Sequence, residues 1–224
     1  MKNLKSKITT IILLVLAILI VLIVVNFVRN YIILSNLLSL QQENLSANSF
    51  EFTCTFYDGD STMPRNTVIS KSKDNSKMFK MNQNEFNRTL IAIYNEKTDK
   101  TTMIYPANKK FTTDDGNKLV GIGLPAKFNE SNIKMYALFS LITEENVNGE
   151  DCYKINCLSI ITGDTTYISK EKGYCVRNIM KYTSTDTNKK TTQTTQTTDY
   201  SNYHFNSLTD KDFETPDLTD YEGK

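Results

Sequence analysis

The sequence lacks tryptophan, has a single histidine, His204, and contains no pair of cysteines in a C-x-x-C arrangement. Zinc motifs need more histidine or paired-cysteine ligands than this, so neither a metal site nor a cofactor is expected. A phosphate loop, a dinucleotide-binding glycine pattern and a nucleophile elbow are also missing. His204 alternates with aromatic neighbours in a predicted strand, which favours a surface or inter-strand position. These absences favour a protein without catalytic activity, with a hydrolase carrying an unrecognised site as the weaker alternative.

Acidic residues are absent before Glu43, so charge is unevenly distributed along the 224 residues. Four of the 26 basic residues, Lys2, Lys5, Lys7 and Arg29, precede the first of the 25 acids. The remainder therefore carries 22 basic against 25 acidic residues, a formal charge of −3. A mildly acidic domain without a basic stripe binds nucleic acid poorly, and no nucleic-acid partner is expected.

An apolar run covers residues 8–28 and is interrupted only by Thr9, Thr10 and Asn26. A helix that spans a bilayer needs about 20 apolar residues, and within hydrocarbon such a segment must be helical. We therefore predict a transmembrane anchor at residues 8–28, preceded by a short cytoplasmic N-terminus, residues 1–7. Because the lysines lie before the run, the positive-inside rule predicts a single-pass cell-membrane protein whose C-terminal domain is extracytoplasmic.

A cleaved signal peptide is the main alternative to this anchor. Its apolar core has about 7–15 residues and is followed by a small-x-small cleavage site. The run in this chain is longer and ends in Val-Asn-Phe-Val-Arg. These features favour retention of the anchor.

The apolar pattern continues beyond the anchor, through residues 29–48. Between Ile33 and Leu40, apolar residues recur at helical spacing with Ser35, Asn36 and Ser39 between them. A one-sided stripe of this kind predicts a juxtamembrane helix that docks on the following domain. A simple extension of the anchor is the alternative.

Residues 49–216 are expected to form one mainly β domain. Phe50, Phe52, Cys54 and Phe56 alternate with polar residues, which predicts a half-buried strand with aromatic side chains on one face. Short turns rich in Asn, Asp and Gly separate the other strand candidates, so we expect an antiparallel sheet. Those candidates are residues 67–72, 77–81, 89–96, 100–105, 165–169, 174–182 and 200–208.

Two segments of this domain break the strand pattern. Residues 133–145 place apolar side chains at Ile133, Tyr136, Ala137 and Leu141, which predicts an amphipathic helix, with an inserted strand as the alternative. After it, Asn148-Gly149 is a strong hairpin signal.

The threonine-rich residues 183–198 offer no apolar side chain and are expected to form an exposed hairpin tip or mobile loop. Thr209 to Asp212 reads as a capping box for one helical turn, after which Phe213 would be buried. Residues 217–224 are expected to be a frayed tail.

Five short segments of the chain follow one another in a familiar order. They are SFEFTCTF at 49–56, MIYPANKKF at 103–111, NGEDCYKI at 148–155, TTYISKEKGY at 165–174, and YHFN followed by FETP within 203–216. In these segments the chain resembles the LolA/LolB superfamily, in particular the LolA-like proteins of bacteria with a single membrane. The resemblance implies a curved antiparallel sheet, a half-open barrel whose concave apolar face is covered by helices and shelters lipid acyl chains or an apolar partner. The chain departs from true carriers because it keeps an anchor and lacks a recognisable ligand-latching arginine.

The aromatic stripe of the first strand is the best candidate for a ligand surface, and core packing against the helices is the alternative. We expect a membrane-anchored module that binds a lipid or other apolar ligand without catalysis. A protein-binding scaffold or regulator of a cell-envelope enzyme is the alternative function, with an envelope protein as partner. The candidate ligand-facing side chains are Phe50, Phe52, Phe56, Ile133, Tyr136, Leu141, Tyr153 and Ile155.

The four cysteines, Cys54, Cys152, Cys157 and Cys175, would all lie outside the cytoplasm, where disulfides persist. Cys152 and Cys157 are an odd number of residues apart, so on one strand they face opposite sides and cannot bond to each other. Cys157 and Cys175 are predicted to lie two strands apart, too far for a bridge. Small buried hydrophobic residues are the alternative to disulfides, and the sequence leaves that choice open.

Overall fold

The computed structural model describes residues 2–59, 61–119, 125, 128–158, 163–185 and 191–223. Within these ranges it contains two α-helices, three single 3₁₀ turns and one twelve-stranded sheet. The helices are α1 (Lys2–Leu45) and α2 (Ile133–Phe139). The strands are β1 (Ser49–Asp58), β2 (Asn66–Lys73), β3 (Ser76–Gln83), β4 (Arg88–Asn95), β5 (Lys100–Tyr105), β6 (Lys110–Asp115), β7 (Ser140–Val147), β8 (Glu150–Cys157), β9 (Thr165–Ser169), β10 (Cys175–Thr185), β11 (Thr191–Phe205) and β12 (Glu222–Gly223).

The sheet is open, with the spatial order β12-β6-β5-β4-β3-β2-β1-β11-β10-β9-β8-β7. Its neighbours are antiparallel except for β12, which pairs in parallel with β6. Consecutive strands form two meanders, β1–β6 and β7–β11, and the β1–β11 pairing joins them at the centre. The predicted fold class is confirmed: mainly β with a few helices (α+β), a curved antiparallel sheet preceded by an apolar N-terminal helix.

Helix α1 changes character along its length. Its apolar residues from Ile8 to Val25 are exposed, and α1 is the one helix in the described part of the chain that is long and apolar enough to cross a membrane. From Asn30 onward one face is buried, with Leu34 and Leu37 packed against α2 and strands β7 to β9. The first half of α1 is therefore free of the domain, and the second half is part of its core.

The predicted helix over residues 133–145 is wrong in its second half. Helix α2 ends at Phe139, and the chain continues as β7, paired throughout with β8. Asn148 and Gly149 have φ values of 55° and 85°, as a tight hairpin turn requires, and this turn fixes the register. The pairing turns Ile142 inward, while Leu141 points to the other face and is 60% exposed.

The threonine-rich tract is strand wherever the structure describes it, which agrees with the predicted hairpin and corrects the alternative of a mobile loop. Thr183 to Thr185 continue β10 and pair with Thr191 to Gln193 of β11. Because β-branched threonine suits an extended backbone, the ladder forms without a hydrophobic core around it. Residues 186–190, at the tip of this hairpin, lie outside the described residues.

The C-terminal segment is better ordered than the sequence suggested. Thr209 and Asp212 form the predicted capping box, and Phe213 is fully buried. The frayed tail is corrected up to residue 223: Leu218 and Tyr221 pack around Phe213, and β12 covers the edge of β6. Strand β6 was not among the predicted strands, because its second half is polar throughout.

Candidate apolar ligand site

The face of the sheet that contacts α1 and α2 is called the inner face here. Directly paired residues of neighbouring strands lie on the same face, so the register can be followed across the whole sheet. Two meanders therefore share one continuous inner face. One row of cross-strand partners runs through Ile142, Ile155, Thr166, Asn178, Thr198 and Phe56.

The β7–β9 half of the inner face is filled by helices. Ile133, Tyr136 and Ile155 are buried there in one cluster with Leu34 and Leu37 of α1, and Tyr153 packs at its margin. The structure thus brings four of the predicted ligand-facing residues together, in a packed core. Leu141 does not join them, because it lies on the opposite face of β7 from Ile142.

The aromatic stripe of β1 continues into a stack of rings. Phe52 is buried, with its ring centre 6.0 Å from that of Phe50 and 5.7 Å from that of Tyr203. Tyr203 in turn stacks on Tyr174 at 4.0 Å and donates a hydrogen bond from its hydroxyl to the carbonyl of Cys175 at 2.8 Å. Burial raises the pKa of the Tyr203 hydroxyl far above its usual range, so the stack is neutral.

The β1–β4 half of the inner face is not filled in the same way. Five apolar side chains there remain partly exposed, and we call them the apolar patch: Phe56, Val68, Phe79, Met81 and Leu90. Val68 pairs with Met81, and Met81 with Leu90, so three neighbouring strands present apolar groups in one row.

Phe56 was predicted from sequence and the other four members of the patch were not. The signal was available, because Phe79 and Met81 flank Lys80 in a strand candidate. It could be used only after the register had shown which face of each strand was inner.

A polar group lies at the margin of this surface. Gln41 of α1 is 3% exposed, and within the described structure neither atom of its side-chain amide has a hydrogen-bond partner. It borders a cavity of about 10 Å³ beside Tyr174 and Tyr203, with room for about one water molecule. An open groove of about 350 Å³ adjoins the same two rings and Phe205. The site therefore combines apolar surface with one unsatisfied amide.

The histidine and the cysteines, which are the side chains best suited to catalysis or metal binding, are poorly placed for either. His204 is exposed on the outer face, opposite Glu51 of β1. The four cysteines are buried and, in the described structure, form no disulfide with one another, and burial raises the pKa of Cys54 to about 12 and that of Cys152 to about 11. Among the described residues no group of three or more His, Cys, Asp or Glu side chains could hold a metal ion.

Comparison with known proteins gives structural likenesses alone. No family model and no curated protein matches the chain. An uncharacterized conserved protein from Thermus thermophilus is 10% identical, with a TM-score of 0.46 over 85% of this chain and 97% of that one. A DUF1329 family protein from Desulfovibrio piger is 13% identical (TM-score 0.31; 83% and 96% covered). A LolA superfamily protein from Nitrosomonas europaea is 8% identical (TM-score 0.32; 81% and 97% covered).

Proposed function

We propose that this protein is a membrane-anchored, extracytoplasmic module that binds a lipid or another apolar ligand on the apolar patch, without catalysis. The observation that carries the proposal is the contrast within the inner face. The helices bury Ile142, Ile155 and Ile168 in one half. In the other half the buried cluster of Ala92, Tyr94 and Leu119 leaves Phe56, Met81 and Leu90 of the patch partly open to solvent. Covering apolar side chains is worth about 1.5–3 kcal/mol for each one fully buried, so an apolar ligand would bind there favourably.

Residues 8–28 support the anchor. They are helical, and the apolar side chains from Ile8 to Val25 are exposed, as expected for a segment surrounded by lipid. Near the end of the segment, Phe27 packs against the core of the domain. Lys2, Lys5 and Lys7 on one side favour an extracytoplasmic position for the domain. An anchor of this kind keeps the patch at the membrane, where lipid is abundant.

Gln41 and the ring stack support an amphipathic ligand rather than a pure hydrocarbon. A buried amide without partners is costly, and the small cavity beside Gln41 has room for about one water molecule. A polar headgroup in the adjoining groove beside Tyr174 and Tyr203 would bind the amide through that water. The apolar part of the same ligand would extend over Phe52 and Phe50 towards the patch.

Photo-crosslinking tests the proposal on the full-length protein in lipid vesicles. A fatty acid carrying a diazirine and an alkyne is added and irradiated, and the labelled peptides are mapped by mass spectrometry. We expect labels on the peptides of β1 and β3 in addition to those of the anchor. Met81→Glu should abolish the β3 label, whereas Lys80→Glu, on the opposite face of the same strand, should keep it. Labels confined to the anchor would refute ligand binding on the patch.

The exposed edge of the sheet favours protein binding as the second candidate. In the described sheet β7 pairs with β8 on one side only. The carbonyls of Ser140 and Ile142 accept hydrogen bonds from Asn30 and Arg29, so the part of the other edge that is open to a further strand is residues 143–147. Such an edge accepts an additional strand from a partner. Crosslinking from β7 to one envelope protein, with no lipid label on the patch, would favour this scaffold function.

A further inference from the structure

The hydrogen bonds of helix α1 identify the two ends of the sheet, meaning the two rows of strand termini and connections. The guanidinium of Arg29 donates from Nη1 to the carbonyl of Ile142 at 3.0 Å, and the Asn30 amide donates to the carbonyls of Ala137 and Ser140 at 3.0 and 2.8 Å. Residue 30 is two residues beyond the proposed span, about 3 Å along the helix axis. The start of β7 therefore lies at the level where the anchor would leave the bilayer.

The other end of α1 meets the other end of the sheet. Asn44 donates from its amide to the carbonyl of Lys172 at 2.7 Å, in the turn between β9 and β10. Because neighbouring strands are antiparallel, each successive connection alternates between these two ends. The β1–β2, β3–β4 and β5–β6 connections share the end at which β7 starts, and so do the last residue of β10, Thr185, and the first of β11, Thr191. We call this end the anchor-side rim.

Exposed apolar side chains are concentrated at that rim. They lie in the β1–β2 connection, the β3–β4 turn, α2, the first residues of β7 and the residue after β8: Met63, Phe86, Leu138, Leu141 and Leu158. The hairpin arm that extends past β9 adds Met180 and Tyr182. The connections of the rim also carry exposed charged residues, among them Arg65, Glu85 and Lys109. At the far end the turns are charged too, but the described residues there have one exposed large apolar side chain, Leu45 at the end of α1.

We propose that the anchor-side rim rests on the bilayer and that its exposed apolar side chains enter the lipid interface. The inference depends on the membrane anchoring proposed above. Because the rim is hydrogen-bonded to residues 29 and 30, it is held within a few ångströms of the lipid. Once the anchor is inserted, contact between the rim and the bilayer therefore costs no additional association from solution. The domain is then oriented, with one end of its strands on the membrane and the turns of the far end in water.

A lipid surface fits these side chains better than a protein does. They come from separate connections, from α2 and from the start of β7, and they share the end of the sheet that lies nearest the apolar anchor. The Arg88 guanidinium lies 5.8 Å from the centre of the Phe86 ring, which combines an apolar body with a cation suited to the headgroup region.

The absence of tryptophan makes a direct test simple, since one introduced tryptophan is then the only one. The full-length variants Leu141→Trp and Phe86→Trp are placed in phosphatidylcholine vesicles with or without brominated acyl chains, which quench tryptophan on contact. Leu45→Trp is the matched control, because Leu45 is 52% exposed against 60% for Leu141 but lies at the far end. Val24→Trp reports on the anchor itself.

We expect quenching and a blue-shifted emission for Leu141→Trp, Phe86→Trp and Val24→Trp, and neither change for Leu45→Trp. If Val24→Trp is quenched while both rim variants behave like Leu45→Trp, the rim contact is refuted and the anchor stands. Quenching at Leu141 without quenching at Phe86 overturns the contact for the β1–β6 half. An unquenched Val24→Trp overturns the anchor and the rim contact together. Leu158→Trp replaces Leu141→Trp if the latter unfolds by circular dichroism.

Discussion

Gly173 lies directly against Leu40 at the point where α1 reaches the turn between β9 and β10. A Cβ atom on Gly173 would lie 2.4 Å from the Cβ of Leu40, and the backbone φ of Gly173 is +71°. Both features favour glycine. A residue with a Cβ atom loses free energy in a left-handed conformation, and its Cβ would clash with the helix at this distance. This turn therefore sets how near the end of α1 lies to the sheet.

Gly173→Ala should destabilise the domain through both effects. The left-handed backbone costs roughly 1–2 kcal/mol, and forcing a methyl group into a packed contact costs typically about 1–3 kcal/mol. Gly149→Ala is the matched control, because Gly149 has a φ of +85° with nothing within 4 Å of an added Cβ. The measurement is the free energy of unfolding of the full chain in detergent micelles. Equal losses for the two variants would contradict the close contact with Leu40.

Asn30 and Ser140 should respond oppositely to truncation, although they are neighbours in the same buried junction. Asn30→Ala leaves the carbonyls of Ala137 and Ser140 without their donor, at about 1–3 kcal/mol for each buried group. Ser140→Ala removes a buried hydroxyl that has no partner in the described structure, so it should be neutral or stabilising. Denaturant titration of both variants measures the difference. A large loss for Ser140→Ala would mean that its hydroxyl makes a contact in solution.

The sequence predicted the elements of this fold better than their boundaries. Signals from neighbouring residues can be recognised in the sequence, whereas a boundary set by pairing with a distant strand cannot. The Asn148-Gly149 turn and the Thr209 to Asp212 capping box are local, so both were readable. Helix α2 was overextended because Ile133, Tyr136 and Leu141 fit a helical period, whereas β7 is created by pairing with β8, a partner later in the chain.

The candidate site was predicted in part for the same reason. Alternation placed Phe50, Phe52 and Phe56 on one face, and the structure keeps them there. Which residues join them depends on register, and register is a non-local property of the sheet. Ile133 and Ile155 therefore belong to the filled half, and Met81 and Leu90 emerged only from the pairing of β2, β3 and β4.

Acid should loosen the C-terminal segment. Asp210 accepts hydrogen bonds from the ammonium groups of Lys73 and Lys97, and these contacts lower the pKa of Asp210 from 3.8 to about 2. A carboxyl whose pKa is lower in the folded state contributes stability above its unfolded pKa, and this contribution disappears as the pH falls from about 3.8 to about 2. Asp210→Asn should therefore reduce the loss of stability over this range, as seen in denaturant midpoints at about pH 5 and about pH 2. Parallel profiles for the variant and the parent protein would contradict the assignment.

The cysteines should behave as protected thiols. Cys54 and Cys152 have raised pKa values because burial disfavours the thiolate, with a smaller contribution at Cys152 from nearby Glu150, and the thiolate is the form that reacts with maleimide. The native protein should be labelled slowly, and denaturation without reductant should expose four reactive groups. Mass spectrometry of labelled samples counts them. Fewer than four labels after denaturation would show that a disulfide forms in the mature protein.

Topology can be measured with the same chemistry, because buried native cysteines leave an introduced surface cysteine as the fast-reacting one. Lys211 is exposed in the C-terminal turn, whereas Lys5 precedes the apolar run. Since positive charge is retained on the cytoplasmic side, a membrane-impermeant maleimide should label Lys211→Cys in intact cells and Lys5→Cys only after permeabilisation. The reverse pattern would invert the proposed orientation. Loss of the Lys5→Cys peptide from the mature protein would show that the anchor is cleaved, and the domain would then reach lipid without it.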